Sequence, residues 1–586
     1  MNDMEKVLNS NYPRRDFMRD IWLDLQGQWE FEFDDENLGV EQEWYDEHSF
    51  SRSINVPYVY QSELSEINIK ERHDIIWYKR TFTCGENFKG KRIFINFGAV
   101  DFYSKLWING KYIGSHSGGY TPFKFDISQY VDVDKENTIV LRVEDDSKAK
   151  EQPRGKQGWL KDNFGCWYTN FTGIWQPVWL TAVGKTYIED FKLTPDIDNQ
   201  KVNVKVLLDE VKDGTSLKIS IKFKDIYINE VLLPVKMTRL EVDINIFNGI
   251  FENGIMYWSV NDPNLYDITF TVIDDEVEVD KVYSYFGMRK VSIRAGRVLL
   301  NNLPVYQKLI LDQGYFPGGF ISPKDEQALI EDIKLIKEMG FNGVRKHEKI
   351  EDPRFLYWCD KLGLLVWEEM PSPYIFNERA IKNVTDEWQR VIDRDYNHPC
   401  IITWVLYNES WGVYDVCRSI EQQNYLKSLY YLTKAIDKTR PVIDNDGWEH
   451  AETDILTIHD YVGSGNELKK TYSDMDKVLN GIPSRLFPRF MQAEGVSYKG
   501  QPIILSEYGG IAFDTASGWG YNQKAKSADE FIERYKSLTN AIKEIDYICG
   551  YCYTQLTDVE QEQNGLLTID RVPKIELSII KEINDL

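Results

Sequence analysis

Residues 401–411 read IITWVLYNESW. The first half is an unbroken run of β-branched, aliphatic and aromatic side chains. That is the composition of a strand buried on both faces, as in a parallel sheet. The second half then delivers an amide, Asn408, and a carboxylate, Glu409. Such groups have no place inside an apolar core, so the strand must end at a polar opening.

Seven other stretches have the same character: LPVYQKLIL (303–311), FNGVRKH (341–347), LLVWEEM (364–370), PVIDND (441–446), ILTIHDY (455–461), PIILSEY (502–508) and ICGYCYTQL (548–556). Helical patterns lie between most of them. One is SPKDEQALIEDIKLIKEMG (322–340), which offers Ser322 as a cap and Gly340 as a stop. Eight strands alternating with helices predict a (β/α)8 TIM barrel over residues 288–586. A doubly wound sheet is the alternative, but no Gly-rich phosphate loop follows a first strand.

Upstream the texture is all strand and turn. Residues 1–185 predict a jelly-roll β-sandwich, with Asn109-Gly110 marking a hairpin in SKLWINGKYIG (104–114). Residues 186–287 predict an immunoglobulin-like sandwich, from runs such as SLKISIKF (216–223) and LYDITFTVID (265–274).

Composition narrows the function. The chain has 586 residues and a net charge of −24, from 69 basic and 93 acidic side chains. That excess disfavours nucleic acid or an anionic membrane as partner. No apolar run is long enough to span a bilayer, and the polar start MNDMEKVLNSNYPRRDF has no apolar signal core. The 7 cysteines are scattered and odd in number, which argues against a disulfide framework and for a cytoplasmic protein. Cys549 and Cys552 spell a redox motif, but their surroundings read as a strand, where these two residues point to opposite faces. The aromatic content of 14% suits carbohydrate handling as well as it suits large β-rich cores.

In a parallel barrel the catalytic groups sit at the C-terminal strand ends. Here those ends are polar together: Arg345 and His347, Glu368 and Glu369, Asn408 and Glu409, Asp444 and Asn445, His459, Asp460 and Tyr461, Glu507 and Tyr508. Two carboxylates, Glu409 and Glu507, follow the longest apolar strands. Only a closed barrel brings them together, and paired carboxylates are what glycoside hydrolysis needs. One protonates the leaving oxygen; the other attacks the anomeric carbon or activates water. Metal is the rival use for such acids. His347, Glu348, Glu351, His459 and Asp460 offer ligand types, yet no HExxH helix and no dense His cluster is present, so neither metal nor cofactor is expected. A Ser nucleophile lacks its G-x-S-x-G elbow.

At these residues the chain resembles glycoside hydrolase family 2, the family of bacterial β-galactosidases, β-glucuronidases and β-mannosidases. The likeness runs nearly end to end: TGIWQPVWL (172–180), YWSVNDPNLYDITFTV (257–272), FGMRK (286–290), RDYNHPCIITWVLYNE (394–409) and PIILSEYGG (502–510). The resemblance implies Glu409 as acid/base and Glu507 as nucleophile of a retaining exo-glycosidase acting on a glycoside or oligosaccharide. It implies Asn408 on the sugar 2-OH, Tyr461 beside the nucleophile, His347 on a sugar hydroxyl, and Glu369 as the second acid of a strand-end pair. Asp460 joins them at the end of the sixth strand. Trp448 is read either as a stacking platform or as a packed loop aromatic. Tyr553 is expected where many relatives have a pocket-floor Trp.

Family glucuronidases hold the sugar carboxylate with an Asn-x-Lys near the last strand; here that stretch reads Glu562-Gln563-Asn564-Gly565. The missing cation favours a neutral, β-galactoside-like sugar, although Arg345 or Lys346 offers a substitute. β-Glucuronide is the nearest rival, followed by β-glucoside, β-mannoside and arabinoside. A catalytically silent carbohydrate-binding protein is the reading from another class. Family analogy also suggests a homo-oligomer.

Overall fold

A computed structural model describes residues 11–481, 483, 488–513 and 518–585. The N-terminal part is two antiparallel sheets, of four and six strands, closed over a core that includes Trp29, Phe31, Ile54, Tyr78, Ile95, Leu141 and Leu180. The Asn109-Gly110 hairpin forms as the sequence predicts, between strands Tyr103–Ile108 and Lys111–Ser117. Both turn residues have positive φ, 48° and 72°, the backbone that a tight two-residue turn requires. The next part packs a three-stranded sheet on a four-stranded one, with alternate residues such as Leu217, Ile219 and Ile221 turned inward.

Eight parallel strands follow, which we number β1 (Gln307–Asp312), β2 (Gly343–Lys346), β3 (Leu365–Glu369), β4 (Ile401–Val405), β5 (Val442–Ile443), β6 (Leu456–Asp460), β7 (Ile503–Gly509) and β8 (Ile548–Thr554). Their order in the sheet is 5-4-3-2-1-8-7-6, the circular order of a (β/α)8 barrel. Every residue of β2 through β8 is buried, which is why these strands read as continuous apolar runs. At the seam between β5 and β6, His450 joins the edges: its Nδ1 lies 2.9 Å from Asp444, and Thr457 N donates to its Nε2 at 3.0 Å.

Three local expectations change. Leu303–Pro304 pairs in a small antiparallel sheet ahead of the barrel, so β1 starts later, at Gln307. The fifth strand shrinks to two residues, because Asp444, Asn445 and Asp446 turn their polar side chains to partners at the mouth. The helix Glu326–Glu338 is capped by Asp325, whose side chain accepts from Ala328 N at 3.0 Å. Ser322 instead donates to Trp175 O at 2.7 Å and ties the barrel to the first sandwich.

The other motifs are also seams. Arg289 of FGMRK donates to Pro399 O and Ile401 O, both at 3.1 Å, and so braces the start of β4. Cys549 and Cys552 lie buried within β8, and all seven cysteines are free. Among the described residues no helix is long and apolar enough to cross a membrane.

Candidate active site

At the C-terminal ends of the strands one guanidinium organises the floor. Arg345, in β2 and fully buried, donates Nε to Glu369 at 2.6 Å, Nη1 to Glu507 at 2.6 Å, and Nη2 to Asn408 at 2.7 Å; Asp446 lies 2.9 Å from the same Nη2. Four strand ends are thereby fixed to one rigid fork. Lys346 is equally committed, 2.6 Å from Asp312 and 2.7 Å from Glu351.

Glu507 sits inside β7. Its carboxylate accepts from Arg345 and from the Tyr461 hydroxyl, and His459 Nδ1 is 3.5 Å away. Burial works to raise its pKa, but the His459 and Arg345 charges and the Tyr461 hydrogen bond outweigh it and hold the group at about 2.

Glu409 lies beyond the end of β4, in a left-handed turn with φ 51°, followed by Ser410 at 60°. Such backbone is uncommon for residues with a Cβ and needs support. Asn445 gives it: Ser410 N donates to its Oδ1 at 2.8 Å, and its Nδ2 donates to Ser410 Oγ at 3.0 Å and Trp448 O at 2.7 Å. Glu409 Oε1 lies 2.8 Å from His459 Nδ1. Burial raises the Glu409 pKa first of all; the His459 hydrogen bond opposes that and the Glu507 charge adds to it.

His459, which the sequence offered only as a polar strand exit and a possible metal ligand, takes a central place in the site. Its Nδ1 faces Glu409, and its Nε2 is 3.1 Å from Asp446. Both nitrogens meet carboxylates, so both must donate, and the ring is an imidazolium. Burial works against that charge, but Glu507, Asp446 and Glu409 together hold its pKa at about 10. Donor atoms of Glu409, His459 and Glu507 all lie within 4.8 Å of one another. A metal ion is poorly suited to this trio, since an imidazolium has no lone pair to offer.

The remaining candidates fall into two groups. Asn408 lies at the site, with Nδ2 buried and without an acceptor among the described residues. Tyr461 also lies there, between Glu507 and Thr554 Oγ1. Glu369 accepts from Arg345, with its pKa raised by burial to about 7. His347 Nδ1 lies 2.8 Å from Glu369, and burial together with the Arg345 charge keeps the ring neutral. Asp460, by contrast, points out of the barrel and accepts from Tyr472 at 3.0 Å. Trp448 is 3% exposed and packs edge-on against His459, with ring centroids 5.5 Å apart. Tyr553 faces the surrounding helices, against Tyr535 at 4.9 Å.

A barrel with two carboxylates meeting across its mouth, behind two β-sandwiches, is the architecture of a glycoside hydrolase. Three family models match along the chain: "Glycosyl hydrolases family 2, sugar binding domain" over residues 23–183, "Glycosyl hydrolases family 2" over 186–289, and "Glycosyl hydrolases family 2, TIM barrel domain" over 323–585. The chain belongs to glycoside hydrolase family 2. It is 28% identical to a β-galactosidase of Thermoanaerobacter pseudethanolicus over 75% of this chain and 57% of that one, so it spans little more than half of that relative's length. It is 29% identical to a β-galactosidase of Thermoanaerobacterium thermosulfurigenes over 90% of this chain and 70% of the relative. A solved β-glucuronidase from an uncultured Clostridium sp. superposes with a TM-score of 0.79 at 20% identity, covering 97% of this chain and 98% of the other.

Proposed function

We propose that the protein is a retaining exo-β-glycosidase working by double displacement. The proximity of the two carboxylates carries this reading: at least one oxygen of Glu409 lies within 4.8 Å of an oxygen of Glu507. Retaining enzymes place the pair about 5–5.5 Å apart, whereas an inverting enzyme needs about 6.5–9.5 Å to admit a water molecule.

The two environments support different roles for the carboxyls. Glu507, ionised above about pH 2, attacks the anomeric carbon. Glu409, with a raised pKa, gives its proton to the leaving oxygen. Because Oε1 accepts from His459, the proton resides on Oε2. Once Glu507 is glycosylated its negative charge is gone, Glu409 loses its proton more readily, and it activates the water that completes turnover. The unpartnered Nδ2 of Asn408 is the donor for a sugar hydroxyl beside the nucleophile, a bond that strengthens as the ring gains oxocarbenium character.

Proton NMR of the first product tests the mechanism. The newly released sugar is expected as its β-anomer; release as the α-anomer would mean inversion. The relatives carry the names β-galactosidase and β-glucuronidase, so a nitrophenyl glycoside panel includes both sugars. Hydrolysis of none of its members would favour the carbohydrate-binding protein.

A further inference from the structure

The buried cations of the barrel mouth are not alike. Arg345 is saturated by Glu369, Glu507, Asp446 and Asn408. Lys346 has Asp312 and Glu351. Lys349 lies 2.8 Å from Glu351 and donates to Gly314 O at 2.7 Å and Ile321 O at 2.8 Å. Lys156 differs. It is only 5% exposed, yet among the described residues it forms no ion pair within 4.0 Å.

Lys156 comes from the first sandwich, on a loop that reaches over the barrel. Arg154 N and Gly155 N donate to Ser372 O at 3.1 and 3.2 Å, and Tyr374 donates its hydroxyl to Gly155 O. Gly155 adopts φ +58°, and a Cβ there would stand 2.3 Å from Glu348 O, so the loop backbone lies directly on the barrel. This places the Lys156 ammonium 4.9 Å from the Trp411 ring centre, two residues past Glu409. Burial works to lower the ammonium's pKa, but the Cys166 thiol, a weak acceptor and its foremost polar influence, raises it together with the Glu562 and Glu348 charges. Its charge bears on Glu409, His347, Glu348 and Glu562. Two of those acids already have donors of their own. Ser372 takes both oxygens of Glu348, and Tyr168 donates to Glu562 at 2.7 Å.

Burying an ammonium whose nearest carboxylates, Glu562 and Glu348, stand outside contact distance is costly, and proteins rarely retain one without use. Beside it stands an aromatic wall. Trp411 lies 5.3 Å from Trp167 and 5.9 Å from Tyr374, between ring centroids, a surface of the kind on which a sugar ring stacks. We infer that Lys156 is an anion-binding residue of the substrate pocket, and that the substrate carries a carboxylate or sulfate beside Trp411. The preferred glycoside is then acidic rather than neutral. This rests on the glycosidase reading above. It also reverses the expectation from the missing Asn-x-Lys, because the cation is supplied by another part of the chain.

The test uses the intact protein. kcat/KM is measured on 4-nitrophenyl β-D-glucuronide and β-D-galacturonide, each against its methyl ester, and on a 6-sulfated β-galactoside against the unsulfated one. At least one acidic substrate is expected to exceed its neutral counterpart by about 100-fold, as for a buried charge pair. Which pair shows the ratio names carboxylate or sulfate. Lys156→Met brings that ratio close to one, while Lys156→Arg keeps most of it, which separates loss of charge from loss of fold. The inference is overturned if neutral substrates are cleaved as well as acidic ones, or if Lys156→Met leaves the ratio unchanged. If no glycoside is cleaved at all, the glycosidase reading fails instead. Calorimetric affinity for the free uronic acid or sugar sulfate against the neutral sugar then tests Lys156 by the same ratio.

Discussion

Glu507 and Glu409 are the same residue type at two strand exits of one barrel, and their surroundings differ in nearly every respect. Glu507 lies within β7 and is held by Arg345 at 2.6 Å and by the Tyr461 hydroxyl, with His459 close by. Glu409 lies past the end of β4 on a left-handed turn, touches one imidazole, and keeps 13% of its side chain exposed. Cations and a phenol drive the first carboxyl to about 2, whereas burial prevails at the second and raises it. Proton affinity is thus set by what the barrel aims at each strand end.

The largest effect comes from removing the stronger-wired partner. Glu507→Gln leaves Arg345 and His459 facing a neutral amide that cannot attack. Turnover should fall by roughly 10⁴-fold or more on every substrate, read by steady-state kinetics. A variant within tenfold of wild type would break the assignment. Glu409→Ala is expected to be more selective. Substrates with poor leaving groups lose nearly all activity; nitrophenyl glycosides retain some, and azide restores turnover as a β-glycosyl azide.

His459 links the two carboxyls, so its loss should move both together. The ring stays protonated up to about pH 10 and supplies positive charge to each. Taking that charge away disfavours both ionised forms. The acid limb of the kcat/KM profile, set by Glu507, should shift upward from about 2; the basic limb, set by Glu409, should shift upward as well. For His459→Gln we expect both shifts, with kcat down about 10- to 100-fold. A variant that merely loosened the fold would lower activity without moving either limb.

The sequence carried β4 and β7 well because a strand buried on both faces has no polar face to confuse the pattern, and its polar exit stands out. Within β6 and β8 the reading was coarser. Successive strand residues point opposite ways, so a Tyr461 that reaches the mouth implies that His459 does too, and that Asp460 turns outward to Tyr472. This parity was available and would have set His459 apart from Asp460 among the polar strand ends. In β8 the same alternation sends Thr554 toward Tyr461 and Tyr553 toward the helices. Asp446 carried less signal, since β5 is two residues long and fixes no parity. Lys156 had none: no local pattern reveals that a loop of the first sandwich ends over the barrel mouth.

The smallest expected effect concerns the turn that makes Glu409 different. Asn445→Ala removes the acceptor of the Ser410 N–H and the donor to Trp448 O, while leaving Ser410 Oγ bound to Glu449 at 2.6 Å. A buried N–H without an acceptor costs about 1–3 kcal/mol, to be read from denaturant unfolding. Glu507 keeps all its partners, so the attacking side of the site is untouched. The loss therefore falls on placement of the acid: kcat declines by about tenfold with KM little changed, and most for poor leaving groups. Asn445→Asp, which restores the acceptor for Ser410 N, should recover more of kcat than Asn445→Ala does. Equal loss in both variants would mean that the strained turn holds itself, and that the position of Glu409 beyond the strand end, not its support, sets the contrast with Glu507.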